Sequence, residues 1–420
     1  MSSPVLILGA GTFGLSSAYH LAKAGHTDIT VLEKSNTFPP ELSAGNDINK
    51  IIRAEYEDPF YTELTLQAMD AWKSSLFAPH YHQVGYLLGN SAAAPEKSKL
   101  SLAKSLKSIN EHPAFKGRIS PVETRQDIMK IAPVFDGPMQ WKGYFNEFAG
   151  YAHAAEPLSA MYSACCALGV NIQLGAEVRS LLYLRETCTG ATVASGREYR
   201  ADLTIVALGA SLATVLPQIG RQVTAKAWSL AHIQLTPSEA ASLRGNPVTY
   251  ARDLGFFFEP DHRANLLKLC PSGSGYTNYA DVAGASTRLS VPPRDNHFIP
   301  KRDEDMIRRL LRETLPALAD RPLVNQTVCW CADTADSEYV IDFVPGKKGV
   351  MVVTGDSGHA YKMLPVLGKW VAEVVKKGRQ EIGRWRWKEG SDASGEVSWR
   401  VGKTTDIKDP GLLPLVKARL

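Results

Sequence analysis

The chain opens on an apolar run without alternation, Pro4-Val5-Leu6-Ile7-Leu8, the pattern of a strand buried on both faces of a parallel sheet. Gly9-Ala10-Gly11-Thr12-Phe13-Gly14 follows, and Leu15, Ala18, Leu21 and Ala22 then recur at helical spacing until Gly25 supplies a stop. Ile29-Thr30-Val31-Leu32-Glu33 reads as the next strand, ending in an acid 19 positions after Gly14 (33 minus 14). Together these predict a βαβ unit. Residues 201–210 read as another buried strand that ends in small residues. Residues 350–359 read as a strand that turns on glycines into a helix running from about Lys362 towards Lys376. Between 221 and 320 the pattern changes to alternating and aromatic stretches such as Gly255-Phe256-Phe257-Phe258-Glu259, which suit an antiparallel sheet. Beyond about 386 the chain turns polar (Glu389-Gly390-Ser391-Asp392-Ala393-Ser394-Gly395) and reads as a surface tail.

Each glycine of the first turn has a physical task. Gly9 makes the tight turn, Gly11 lets a pyrophosphate approach the backbone, and Gly14 permits close packing of helix on strand. The helix N-terminus offers free N–H groups and a positive dipole end, and Glu33 can accept hydrogen bonds from a ribose. These features fit FAD and NAD equally. A nucleotide domain that the chain revisits near its middle and its end encloses the ligand along its length, which favours a flavin that stays over a nicotinamide that leaves.

Composition excludes several classes. The 420 residues suffice for two domains, and a net charge of +4 is small against 47 basic and 43 acidic side chains, so neither nucleic acid nor a membrane surface is demanded. No apolar run approaches the roughly 20 residues of a membrane-spanning helix, and a soluble protein is expected. Six cysteines in or near apolar stretches, with no secretory leader, read as reduced thiols in an intracellular protein. Ala418-Arg419-Leu420 has the chemistry of a peroxisomal address, or is a chance tripeptide. Cys329 and Cys331 are candidates for a zinc half-site or for plain core thiols. No second Cys/His pair has matching spacing, His80-Tyr81-His82 is equally isolated, and no metal is expected.

Several longer phrases carry a resemblance. Ser43-Ala44-Gly45-Asn46-Asp47-Ile48-Asn49-Lys50-Ile51-Ile52-Arg53, Trp141-Lys142-Gly143-Tyr144-Phe145, Gly255 to Pro260 and Val328-Cys329-Trp330-Cys331-Ala332-Asp333-Thr334 resemble fungal fructosyl amino acid oxidases (amadoriases) of the D-amino-acid-oxidase superfamily. Gly355-Asp356-Ser357-Gly358-His359-Ala360-Tyr361-Lys362 is similar to a stretch of monomeric sarcosine oxidase and of pipecolate and saccharopine oxidases. The resemblance runs from residue 1 to about 385 and implies a Rossmann-like FAD-binding domain with a parallel sheet, joined to an antiparallel-sheet substrate domain. The flavin domain is then assembled from 1–80, 150–220 and 320–385, the substrate domain from 81–149 and 221–319, and the tail is 386–420.

The resemblance also assigns roles. It implies a covalent bond from Cys329 to the flavin 8α-methyl and a lysine over flavin N5 at Lys268 that promotes reaction with oxygen, with Lys50 beside the flavin. Lys268 lies inside an apolar run, where a charge must find a partner and can stabilise superoxide. Arg53 and Lys362 take the places that clamp a substrate carboxylate, and the Lys362 helix would aim its N-terminus at the flavin pyrimidine. Gly9, Gly11, Thr12, Phe13, Gly14, Glu33, Lys34, Ser43, Asn49, Val178, Gly209, Asp356, Gly358 and His359 are placed against the cofactor. Ser272 stands where amadoriases carry an acid, and Arg53 stands where they carry a small residue. A secondary-amine amino acid such as saccharopine, pipecolate or sarcosine, or a related specialised amine, is therefore expected as substrate of a monomer that uses O2. Alternatives within this class are an amadoriase and an enzyme that makes an imine for ring closure. Outside it stand a nicotinamide dehydrogenase and a non-catalytic flavoprotein.

Overall fold

A computed structural model describes residues 3–388, 402–409 and 412. Its first layer is a six-stranded sheet in the order Val340–Phe343, Val350–Thr354, Leu203–Val206, Val5–Leu8, Ile29–Leu32 and Asn171–Gln173. All neighbours are parallel except the first pair. Val5, Ile7, Leu8, Val31, Ile205, Val350 and Val352 are nearly or wholly without solvent contact, as the unalternating apolar pattern requires. Helix Thr12–Lys23 covers this sheet and ends one residue before Gly25, whose φ of 98° only glycine adopts at ease. Helix Leu367–Lys377 crosses it so closely that a Cβ at Gly368 would lie 1.8 Å from Ser16 O, and Ser16 Oγ joins the two by accepting from Gly368 N at 2.8 Å.

The second layer is a ten-stranded sheet, antiparallel in most of its pairings. Val223–Gln234 is its longest strand and pairs with both Leu266–Pro271 and Val324–Thr334. The amphipathic helix Lys301–Thr314 seals one face, burying Ile307, Leu310 and Leu311 against Phe257, Leu267 and Leu269. Such side chains contribute about 1.5–3 kcal/mol each. A separate three-stranded antiparallel sheet joins Asn49–Ile52, Gly150–His153 and Tyr81–His82.

Three expectations are corrected. The helix predicted from Lys362 starts later: Tyr361–Met363 is a single 3-10 turn, and the α-helix begins at Leu367. Pro365 has no N–H to donate and disfavours helical geometry at the residue before it. Val324–Thr334, placed with the flavin domain, is hydrogen-bonded into the large antiparallel sheet instead. The surface tail is not wholly a tail, because Thr405–Asp406 adds a parallel strand to Tyr276–Thr277, and Ile407 and Leu412 bury against Val328 and Trp330. The Glu389 to Gly395 stretch and Ala418-Arg419-Leu420 lie outside the described residues. Among those residues all six cysteines are free, and no helix is long and apolar enough to cross a membrane.

Candidate active site

One cavity of about 2220 Å³ runs from the glycine turn to a cluster of tyrosines beneath the large sheet. At its first end Gly9 has a φ of 100°, and a Cβ there would lie 2.6 Å from Ala207 O. A Cβ at Gly14 would lie 1.8 Å from Gly9 O. Gly11 differs, because its Cβ would meet only Ser43 Oγ at 3.4 Å on the cavity side. Gly11 is the N-cap of helix Thr12–Lys23, which has no side-chain cap and no acid in its first turn. Its free N–H groups and dipole suit an anion. Glu33 is buried beside this turn, with Oε2 accepting from Ala10 N at 2.9 Å and Oε1 from Ser35 N at 3.0 Å. Thr12, Phe13, Lys34, Val178 and Gly209 line the same end, and Ser43 Oγ accepts from Gly45 N at 3.2 Å.

The middle of the cavity is ionic. Lys268, 2% exposed, donates from Nζ to Asp47 Oδ2 and, at 2.9 Å, to Asn49 O. Lys50 Nζ donates to the same Asp47 oxygen at 2.6 Å. Burial opposes ionisation of Asp47, but the two ammonium groups outweigh it and hold its carboxyl below the usual carboxylate range. Burial likewise opposes the charge on Lys50, and Asp47 reverses the balance and raises it. Cys329 lines the cavity nearby; burial pushes its thiol up, against the pull of Lys50. Asn49 Oδ1 and Ser272 Oγ are buried without a hydrogen-bond partner. His232 faces Lys268 across the paired strands, and burial first, then Lys268, lowers its pKa.

The far end is aromatic and cationic. The Arg53 guanidinium lies 5.3 Å from the Tyr56 ring centroid and 5.8 Å from that of Tyr86. It donates to Glu55 O, and burial, which disfavours its charge, is outweighed by Tyr86 and Glu55. Lys362, 5% exposed, donates from Nζ to Tyr56 OH at 3.0 Å. Burial and then Arg53 push its pKa well below the lysine range. Tyr86 OH, Tyr144 OH and Glu55 Oε2 are buried without partners. His359 closes this end, its Nε2 facing Ser337 O at 2.9 Å and its Nδ1 facing Tyr56 OH at 3.2 Å and Tyr339 OH at 3.3 Å. Asp356 accepts from Ala332 N at 2.8 Å and Gly358 N at 3.1 Å, and burial pushes its carboxyl up to about 6.

The sequence matches, over residues 4–374, the family described as FAD dependent oxidoreductase. The chain belongs to this family. The oxidoreductase is 31% identical to the L-saccharopine oxidase of Schizosaccharomyces pombe, with 97% of this chain and 98% of that protein covered. It is 22% identical to the monomeric sarcosine oxidase of a Bacillus species, covering 90% and 93%. Among solved structures, the fructosamine oxidase of Aspergillus fumigatus (Amadoriase II) superposes with a TM-score of 0.88 at 33% identity, covering 97% of this chain and 96% of that one. The glycine turn, Glu33 and the parallel sheet are thus parts of an FAD-dependent enzyme.

Every residue anticipated at the site lines this cavity, except Gly14 and Asn49, which support it from behind. The sequence reading missed Asp47, Glu55, Tyr56, Tyr86, Tyr144 and His232. An acid three positions before Lys50 was a visible clue to the first. Tyr56 comes from a loop and Tyr86 and Tyr144 from two paired strands, so nothing local in the sequence drew them together.

Proposed function

We propose that this oxidoreductase oxidises the C–N bond of a secondary amine that bears a carboxylate, an amino acid of the saccharopine, pipecolate or sarcosine kind. The observation that carries this reading is the pairing, at one end of the cavity, of a half-buried Arg53 guanidinium with a buried Lys362 amine that forms no ion pair among the described residues. A planar guanidinium can grip a carboxylate with two parallel hydrogen bonds, and the unpartnered tyrosine hydroxyls add donors.

FAD fits the rest of the cavity. Gly11 leaves room for a pyrophosphate against the open helix N-terminus, and Glu33 keeps lone pairs for ribose hydroxyls. Ser272 Oγ is a buried polar atom without a partner on the cavity side, and Asn49 Oδ1 is another just behind the lining. When bound, FAD supplies a hydride acceptor for the carbon next to the amine and delivers the electrons to O2, giving H2O2 and an imine that water hydrolyses. Cys329 presents the thiol for a covalent attachment. Lys268, fixed by Asp47 and Asn49 O, presents its ion-paired amine where oxygen gains its first electron. Arg53 and Lys362 orient the substrate by its carboxylate, and the aromatic wall of Tyr56, Tyr86 and Tyr144 excludes water.

A second reading, oxidation of a fructosyl amine, is favoured by the likeness to Amadoriase II. Ser272 speaks against it, because a hydroxyl cannot match the charged hydrogen bonds of a carboxylate to a sugar-linked amine. The test is the absorbance spectrum before and after acid precipitation, followed by anaerobic mixing with secondary-amine amino acids and fructosyl amino acids. Yellow colour kept in the pellet, lost to the supernatant in Cys329→Ala, and bleached by a secondary-amine amino acid is the expected result. Bleaching by fructosyl amino acids alone would move the assignment to the second reading.

A further inference from the structure

His80 and His82 stand in the sequence as an isolated pair, but the fold gives them company. Strand Tyr81–His82 pairs with Gly150–His153, which sets the His82 ring 4.7 Å from that of His153, centroid to centroid. The His262 ring lies 4.5 Å from His153 on the other side. Glu156, in the first turn of helix Ala155–Ala167, comes within 3.1 Å of His80 Nδ1 and 3.8 Å of His262 Nε2. Four imidazoles and one carboxylate, from three separate stretches of chain, thus converge at the rim of the cavity. One ligating atom from each of His153, Glu156 and His262 falls within 4.8 Å of the others.

We propose that His153, Glu156 and His262 form a binding site for a divalent transition-metal ion of the zinc class, separate from the flavin chemistry. Two imidazole nitrogens and one carboxylate oxygen, with water in the fourth place, are a donor set that Zn²⁺ accepts at bonds of about 2.0–2.2 Å. Reaching that geometry requires the three atoms, which lie within 4.8 Å of one another, to draw closer together. His262 can make most of that movement, since its side chain is 43% exposed. His80 donates to the Glu156 oxygen and fixes the carboxylate, as outer partners of metal ligands commonly do. One group competes: Arg263 pairs with Glu156 at 2.9 Å. Its side chain is 70% exposed, and an exposed pair of that kind is weak enough for a metal to displace.

The test uses chelator-treated holoenzyme titrated with ZnCl2 by calorimetry, with zinc-edge X-ray absorption on the product. The expected result is one ion per chain bound at micromolar or lower concentration, in a shell of nitrogen and oxygen only. His262→Ala should weaken binding at least tenfold, and Arg263→Ala should tighten it several-fold. Both substitutions are at exposed positions, and an unchanged flavin spectrum checks that each variant is folded. Absence of saturable binding, or equal affinity in wild type and His262→Ala, overturns the proposal.

Discussion

Lys268 and Lys362 are both buried lysines that line one cavity, and their surroundings are opposite. Lys268 shares Asp47 with Lys50 and donates to a backbone carbonyl as well. Lys362 has a tyrosine hydroxyl for a partner and a guanidinium for a neighbour. Burying an ammonium costs several kcal/mol unless an anion offsets it. In the first region the protein supplies that anion itself, as the Asp47 carboxylate. In the second no ion pair is formed among the described residues, and burial and Arg53 depress the pKa of the amine until something acidic arrives. On the proposed function this difference has a purpose: oxygen brings no charge and needs one waiting, whereas an amino acid brings its own carboxylate.

The contrast breaks most severely at Asp47. Asp47→Asn leaves two ammonium groups facing each other in a dry site, so stability should fall by about 3–5 kcal/mol, read by denaturant unfolding of the holoenzyme. Lys268→Met in the same chain should restore part of the loss by removing the stranded charge. An unchanged midpoint in Asp47→Asn would show that the carboxylate is not what offsets the burial of the two lysines. Lys268→Met alone should leave anaerobic flavin reduction within a few-fold of wild type and slow reoxidation by O2 about a hundredfold or more, measured by stopped flow. Equal slowing of both half-reactions would reassign Lys268 to packing.

How far these regions were legible in the sequence follows from the range of the forces involved. The βαβ unit was legible because its constraints are local: five consecutive residues set the strand, and Gly14 must be glycine because of Gly9, five positions away. The pairing of Asp47 with Lys268 was not, since that partner lies 221 residues further along and only the Lys50 contact is local. Arg53 and Lys362 were found through resemblance, but the reason the Lys362 pKa is depressed lies in burial that only the assembled sheets create. The late start of the last helix was legible and was passed over, because Pro365 stands in the sequence. The two-residue strand at Thr405 was not, being too short to show any period.

The cationic end offers two finer tests. Arg53→Met should lower kcat/KM for carboxylate-bearing amines about a hundredfold while leaving an amine without a carboxylate nearly unaffected, because only the former loses a charged, bidentate partner. A uniform loss across both substrates would place Arg53 in the scaffold.

The smallest effect is the sharpest probe of the contrast. Lys362 in the empty site has its pKa depressed by burial and by Arg53, so the folded protein holds it neutral at pH values where a free lysine is charged. A bound carboxylate adds the missing opposite charge and draws that pKa back up. Binding of a simple carboxylate such as benzoate, which has no amine of its own to titrate, must then take up a proton. Affinity should fall as pH rises through the interval between the empty and occupied pKa values, by at most tenfold per pH unit. Lys362→Met should flatten that dependence and bind at high pH about as well as wild type does, both read from flavin fluorescence during titration. If wild type and variant show the same slope, Lys362 is already charged in the empty site. The two lysines would then be alike, and the aromatic end would need an anion that Glu55, with one oxygen lacking a partner, is the nearest residue to supply.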